Sequence, residues 1–220
     1  MILFFKELLA SLISQPYCEC CRIFLNKRAI LCDRCRQNVK ELVAHRVSVT
    51  KMWSIPVYSL GEYQDPLRTL ILAKHRSRAC VAHELGLLLA EHHCFEKIAC
   101  DVLVPIPLHR WRKARRGYNQ AMVMAKALGD KRNIMVIDLL RRSKNTKFQA
   151  DLSLQERAEN VRGVFELTLF ENQREAFEGK NIVLIDDLVT TGSTLKEAAK
   201  VIKMLKPASI TALVVARTAR

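Results

Sequence analysis

Apolar residues fall along this chain in two rhythms. Segments 54–60, 101–107, 134–139, 182–185 and 210–216 are short apolar runs between turn signals, the pattern of strands covered on both faces. Between them, apolar residues recur three and four apart, as a buried helix face requires. Segments 67–73, 81–91 and 119–128 read as helices. Segment 194–205 does so most clearly: Leu195, Ala198, Ala199, Ile202 and Leu205 form one stripe, and Pro207 closes it. Residues 1–14 are apolar but carry Lys6 and Glu7. Ile2, Phe5, Leu8, Leu9 and Leu12 lie at helical spacing, which predicts a packed amphipathic helix rather than a signal peptide. Strands alternating with helices predict an α/β fold with a parallel-rich sheet flanked by helices.

One strand end carries unusual chemistry. Ile182, Val183, Leu184 and Ile185 run into two carboxylates, Asp186 and Asp187. A small hydroxyl-rich turn follows, Thr190, Thr191, Gly192, Ser193 and Thr194, and then the helical stripe begins. Ligands of parallel sheets bind beyond the carboxyl ends of the strands. A helix N-terminus offers unpaired N–H groups and a partial positive charge to a phosphate. Gly192 permits close backbone approach, and the hydroxyls add donors. The carboxylates are acceptors suited to vicinal ribose hydroxyls. An acidic turn that merely caps a helix is the plainer alternative. The order of parts favours a phosphosugar cradle.

These residues resemble the phosphoribosyl pyrophosphate (PRPP) motif of type I phosphoribosyltransferases. The likeness extends through Val104-Pro105-Ile106-Pro107-Leu108, Arg116-Gly117-Tyr118-Asn119-Gln120-Ala121, Gln149, Arg157-Ala158-Glu159-Asn160 and Gly163-Val164-Phe165. With an N-terminal pair of Cys-x-x-Cys knuckles, the chain resembles the ComF competence family over nearly its whole length. The resemblance implies that Asp186 and Asp187 bind ribose hydroxyls and that 190–194 cradles the 5′-phosphate of PRPP, carried with Mg²⁺. It implies a pyrophosphate loop at Pro105, Ile106 and Pro107, assisted by Arg116, and a mobile loop at 140–160 that includes Gln149 and Arg157. It also implies handling of single-stranded DNA during natural transformation, with DNA-uptake helicase or channel proteins as partners.

The cysteines add a second centre. Cys18-x2-Cys21 and Cys32-x2-Cys35 give four thiolates in two knuckles, the soft tetrahedral set that structural Zn²⁺ takes. Cys20 could substitute for a neighbour, but only Cys18 and Cys21 repeat the second knuckle's spacing. The expected organisation is a helix and zinc-finger-like module over 1–50 and a phosphoribosyltransferase-like domain over 51–220. A module this short needs its metal to fold.

Charge changes the picture once more. The net charge is +14, and 110–147 holds twelve Lys/Arg against Asp130 and Asp138. A small phosphate ligand needs fewer cations, so the surplus points to a polyanion, with nucleic acid ahead of acidic lipid. Arg110, Arg112, Lys113, Arg115 and Tyr118 are the candidate contacts, cations interleaved with an aromatic platform. A solvated basic surface is the competing explanation for each. The glycine spacing excludes a P-loop and a dinucleotide-binding fingerprint. No apolar run approaches the ~18 residues of a membrane span, so a cytoplasmic location is expected, with any association with the inner membrane made through partners. Two functions stay open: a PRPP-binding protein that handles single-stranded DNA, or an active transferase moving ribose 5-phosphate to an acceptor whose pocket the sequence does not reveal.

Overall fold

A computed structural model describes residues 16–26, 29–39, 44–73, 79–108, 117–142 and 163–218. Its strands in chain order are β1 (His45–Ser48), β2 (Ser54–Glu62), β3 (Val102–Pro105), β4 (Met135–Val136), β5 (Leu140–Arg142), β6 (Phe165–Leu167), β7 (Asn181–Val189) and β8 (Ser209–Arg217). Six of them form one sheet in the order β1-β2-β8-β7-β3-β4, while β5 and β6 form a separate antiparallel ribbon. Within the large sheet β1 is antiparallel to β2, and the other pairings are parallel. The described helices are α1 (Asp33–Gln37), α2 (Leu67–Ala73), α3 (Ala79–Glu91), α4 (Gln120–Arg132) and α5 (Ser193–Ile202), the last extended by a 3₁₀ turn at Lys203–Leu205. The expected parallel-rich α/β sheet flanked by helices is present.

The apolar run of β7 explains why the sheet has two covered faces. Ile182, Val183, Leu184 and Ile185 are all fully buried. Val183 and Ile185 join a core with α2, α3, α4 and the cysteine segment, represented by Cys18, Leu31 and Cys35. Ile182 and Leu184 join a second core with α5, β1 and the ribbon. Alternate side chains of a strand point to opposite faces, so one continuous run supplies both cores.

Five elements differ from the pattern-based reading. The strand predicted at 182–185 continues to Val189, and Asp186 pairs in register with Val214. The acidic pair thus lies within the strand's last turns of pleat rather than after it. The strand predicted at 134–139 narrows to the two residues of β4. Ile137 then donates its N–H to Leu103 O at 3.0 Å, and Leu139 is buried in the second core as the chain leaves the sheet for β5. β1, β5 and β6 carry no apolar run that marks them in sequence; β1 is a polar edge strand whose single buried residue is Val47. It precedes residue 50 and hydrogen-bonds to β2. The amphipathic helix expected at 1–14 and most of the 140–160 loop lie outside the described residues.

Helix starts follow their sequence signals. Asn119 caps α4 by accepting from Ala121 N–H at 3.2 Å, and Asn133 ends it in the left-handed conformation. Where α3 crosses α4, Gly86 lets the backbones meet: a Cβ there would stand 2.4 Å from Met124 O. Gly86→Ala should therefore destabilise the fold by about 1–3 kcal/mol through overpacking, read as a lower urea midpoint with an unchanged slope.

Candidate functional site

The carboxyl ends of β3 and β7 lie side by side, because Pro105 pairs with Ile185. The loop beyond β3 is tied down at once. Ile106 N–H donates to Ile185 O at 2.9 Å. Asn119 Nδ2 donates to Ile106 O at 3.1 Å while its Oδ1 caps α4. One side chain thus fixes the 105–107 loop to the start of a helix. Pro105 and Ile106 are buried and Pro107 is half-buried. Tyr118, beside Asn119, packs on the edge of the first core.

Asp186 and Asp187 are half-buried at the end of β7. Asp187 N–H donates to Asp186 Oδ1 at 2.8 Å, which turns one carboxylate along the strand. The turn into α5 follows. Thr190 is exposed, and Thr191, Ser193 and Thr194 are half-buried. Thr191 Oγ1 and Ser193 Oγ lie 2.8 Å apart, and Ser193 N–H reaches Thr191 Oγ1 at 3.4 Å. Gly192 holds the N-cap position at φ +77° with no side chain to cap the helix. A Cβ there would lie 2.8 Å from Val47 Cγ2. Glycine is thus needed for its backbone conformation and for the approach of β1, two demands its place in the motif did not disclose. The structure brings together β3's end, Asp186, Asp187 and the start of α5. Arg110, Arg112, Lys113, Arg115, Arg116, Gln149 and Arg157 lie outside the described residues.

Glu197 is a residue the pattern did not single out. On an amphipathic helix it reads as surface, yet it is buried. Its Oε2 accepts from Gly163 N–H at 2.9 Å and its Oε1 from Lys200 Nζ at 2.5 Å. Gly163 itself has φ +62°. Burial pushes this carboxyl up, but the Gly163 N–H and the Lys200 ammonium outweigh it, and the group is held below the usual carboxylate range. The bond joins α5 to the chain that enters β6. The only sequence trace of it is Lys200 three residues on.

The four expected cysteines converge. The sulfurs of Cys18, Cys21, Cys32 and Cys35 all lie within 4.8 Å of one another, and Cys20 is not in that group. Cys21 Sγ and Cys32 Sγ are 3.7 Å apart. A Zn–S bond of about 2.3 Å implies tetrahedral sulfur–sulfur edges of about 3.8 Å, so the set could hold a zinc ion. As free thiols the group is split. Burial raises Cys18, but backbone N–H donors at Cys21, Cys32 and Cys20 prevail and bring it to about 6. Burial and the neighbouring sulfurs push Cys35 up. A soft dication would resolve the split by taking all four as thiolates. Salt bridging between Arg36 and Glu91 at 2.5 Å ties α1 to α3. Among the described residues no helix is long and apolar enough to cross a membrane.

Residues 101–220, more than half of the chain, match the phosphoribosyl transferase domain family. With the parallel sheet and the acidic strand end beside a helix start, this defines a protein built on a phosphoribosyltransferase-type domain. The chain is 31% identical over 200 residues to competence protein F of Haemophilus influenzae, covering 87% of this chain and 80% of that protein. It is 34% identical over 128 residues to competence protein ComFC of Bacillus subtilis, covering 56% of this chain and 49% of the other. Over 151 residues it is 30% identical to the DNA utilization protein YhgH of Escherichia coli, covering 66% and 64%. The chain belongs to the ComF family.

Two outcomes follow from this geometry. Gly192→Ala should cost about 1–3 kcal/mol from left-handed strain and the Val47 contact. A Val47→Ala change in the same chain removes the overlap but not the strain, so urea unfolding should show only partial recovery. For Glu197 the folded-state pKa is depressed, so its contribution is present above the ordinary carboxylate pKa and fades as pH falls through the lowered value. Glu197→Gln should flatten that acid limb of stability. Glu197→Ala should cost about 1.5–3 kcal/mol at neutral pH, with both read by thermal unfolding across pH.

Proposed function

We propose that this protein binds Mg²⁺-PRPP at the carboxyl ends of β3 and β7 and handles single-stranded DNA during natural transformation. The observation that carries the reading is the placement of Asp186 and Asp187 between the 105–107 loop and the N-terminus of α5. In this reading the carboxylates accept from the ribose hydroxyls. The N–H groups and hydroxyls of 191–194 hold the 5′-phosphate. The 105–107 loop, with Arg116, takes the pyrophosphate, and Gln149 and Arg157 belong to the segment that covers it. Mg²⁺ would neutralise pyrophosphate charge as that group is held. The names of the relatives, competence and DNA utilization proteins, support the biological setting. The basic stretch with Arg110, Arg112, Lys113, Arg115 and Tyr118 supports the polyanion. We read residues 1–50 as carrying a module held by structural Zn²⁺ on Cys18, Cys21, Cys32 and Cys35, and 51–220 as the PRPP domain, whose sheet β1 joins from the end of the first segment. A cytoplasmic protein that meets the inner membrane through uptake helicase or channel proteins fits this role.

The second reading is an active phosphoribosyltransferase, favoured by the complete Asp-Asp and Thr-Thr-Gly-Ser-Thr sequence. Catalysis would then rest on stabilising a cationic sugar and the departing pyrophosphate, with no covalent protein nucleophile.

Calorimetry with Mg²⁺-PRPP should show binding that weakens at least about tenfold in an Asp186→Asn, Asp187→Asn chain, in keeping with lost hydrogen bonds to charged groups; unchanged affinity would sink the site. Elemental analysis of the reduced protein should find one zinc per chain, kept in Cys20→Ser and lost in Cys21→Ser. Incubation with labelled PRPP and single-stranded DNA, with products weighed by mass spectrometry, separates the two readings: a ribose 5-phosphate adduct selects the enzyme.

A further inference from the structure

A second basic surface lies outside the 110–147 stretch, on the helix that starts at the phosphate cradle. Lys196, Lys200 and Lys203 stand four and three residues apart, so they form one stripe along α5 and its 3₁₀ extension. They step about 6 Å and then about 4.5 Å along the axis. The neighbouring stripe, Leu195, Ala198, Ala199 and Ile202, is buried in the second core, and the lysines flank it. Lys196 and Lys200 are half-buried at the edge of that stripe, and Lys203 is exposed.

The β1–β2 hairpin lies beside it. Lys203 Nζ sits 5.5 Å from the centroid of the Trp53 ring. Trp53 is half-buried against the same core, so its ring is held rather than swinging. Lys51, at the hairpin tip, and Arg46, bonded to Ser54 across the hairpin at 2.7 and 2.9 Å, are exposed. Across 45–53 and 193–206 there are six Lys/Arg and one carboxylate. That carboxylate is Glu197, which is buried and taken by Gly163 and Lys200. Lys206, bridged to Glu178 at 3.6 Å, marks the acidic margin where the surface ends.

We propose that this face, Lys51, Trp53, Lys196 and Lys203, is a contact surface for single-stranded DNA running outward from the start of α5, with Lys200 kept to its ion pair with Glu197. The ammonium groups take successive phosphates, and as Lys203 turns to a phosphate it uncovers the Trp53 ring face it now lies over, giving the pairing of cations and aromatic that sequence-tolerant single-strand sites use. An anionic bilayer would also meet a cationic row. The held aromatic ring and the row's origin at a cradle suited to a sugar phosphate favour the nucleic acid. The inference rests on the DNA-handling reading above and supplies a surface for it.

The test uses the full chain with Trp111→Phe, which leaves Trp53 as its only tryptophan. Oligothymidylate should quench Trp53 fluorescence. Lys51→Gln, Lys196→Gln and Lys203→Gln together should lower the slope of log affinity against log salt by about 2, at roughly 0.7 per phosphate contact on a single strand. Affinity at low salt should fall tenfold or more. Lys200 is left in place because Glu197 depends on it, and an unchanged urea midpoint confirms that the triple variant is folded. DNA binding with a silent Trp53 and an unchanged slope would overturn this surface while leaving the DNA reading intact. Absence of any oligothymidylate binding by the unsubstituted chain would remove both. Loss of binding to phosphatidylserine vesicles in the triple variant, with DNA affinity unmoved, would assign the face to lipid and overturn the proposal.

Discussion

The parallel pairing of β7 with β3 on one side and β8 on the other is the constraint on which the rest hangs. It places Pro105 opposite Ile185 and Asp186 opposite Val214. A one-residue slip would exchange every side chain between the two cores. The register is held because both faces of β7 are buried: Val183 and Ile185 fill one core and Ile182 and Leu184 the other. Site geometry is therefore inherited from core packing. The two carboxylates sit where they do because four apolar residues before them have no freedom to move.

From that end the chain must turn at once into α5, and the turn is crowded by β1. Val47 packs against the position a Cβ of Gly192 would occupy, so the edge strand and the cradle constrain each other. Glu197 continues the same logic one turn deeper, holding the chain at Gly163 against α5. Asn119 does so on the other side by joining the 105–107 loop to α4. The candidate site is thus walled by short polar ties between elements, while its chemistry is carried by groups that stay half-buried at the sheet's end.

Much of this was legible in the chain itself. The runs at 54–60, 182–185 and 210–216 and the stripe at 194–205 announced their elements, because burial on two faces or on one leaves a periodic trace. The Cys-x-x-Cys pairs announced their convergence, since each knuckle places two sulfurs on one side. β1 was not legible: an edge strand of polar residues with a single buried valine has no alternation to detect. Nor was the length of β7. Carboxylates read as a strand end, yet Asp186 pairs with Val214 as any strand residue would, because the ladder is made by backbone groups indifferent to the side chain.

Sequence alone determined the fold class, the acidic pair and its hydroxyl-rich turn, the four cysteines and the excess of positive charge, since each is a matter of composition or short-range spacing. Only the tertiary structure decided that Gly192 lies under Val47, that Glu197 is a buried anchor for Gly163, that Asn119 fixes the 105–107 loop, and that Lys203 stands over Trp53. Those pairs are separated by between 13 and 150 residues along the chain, and no local rhythm encodes a contact made across a folded core.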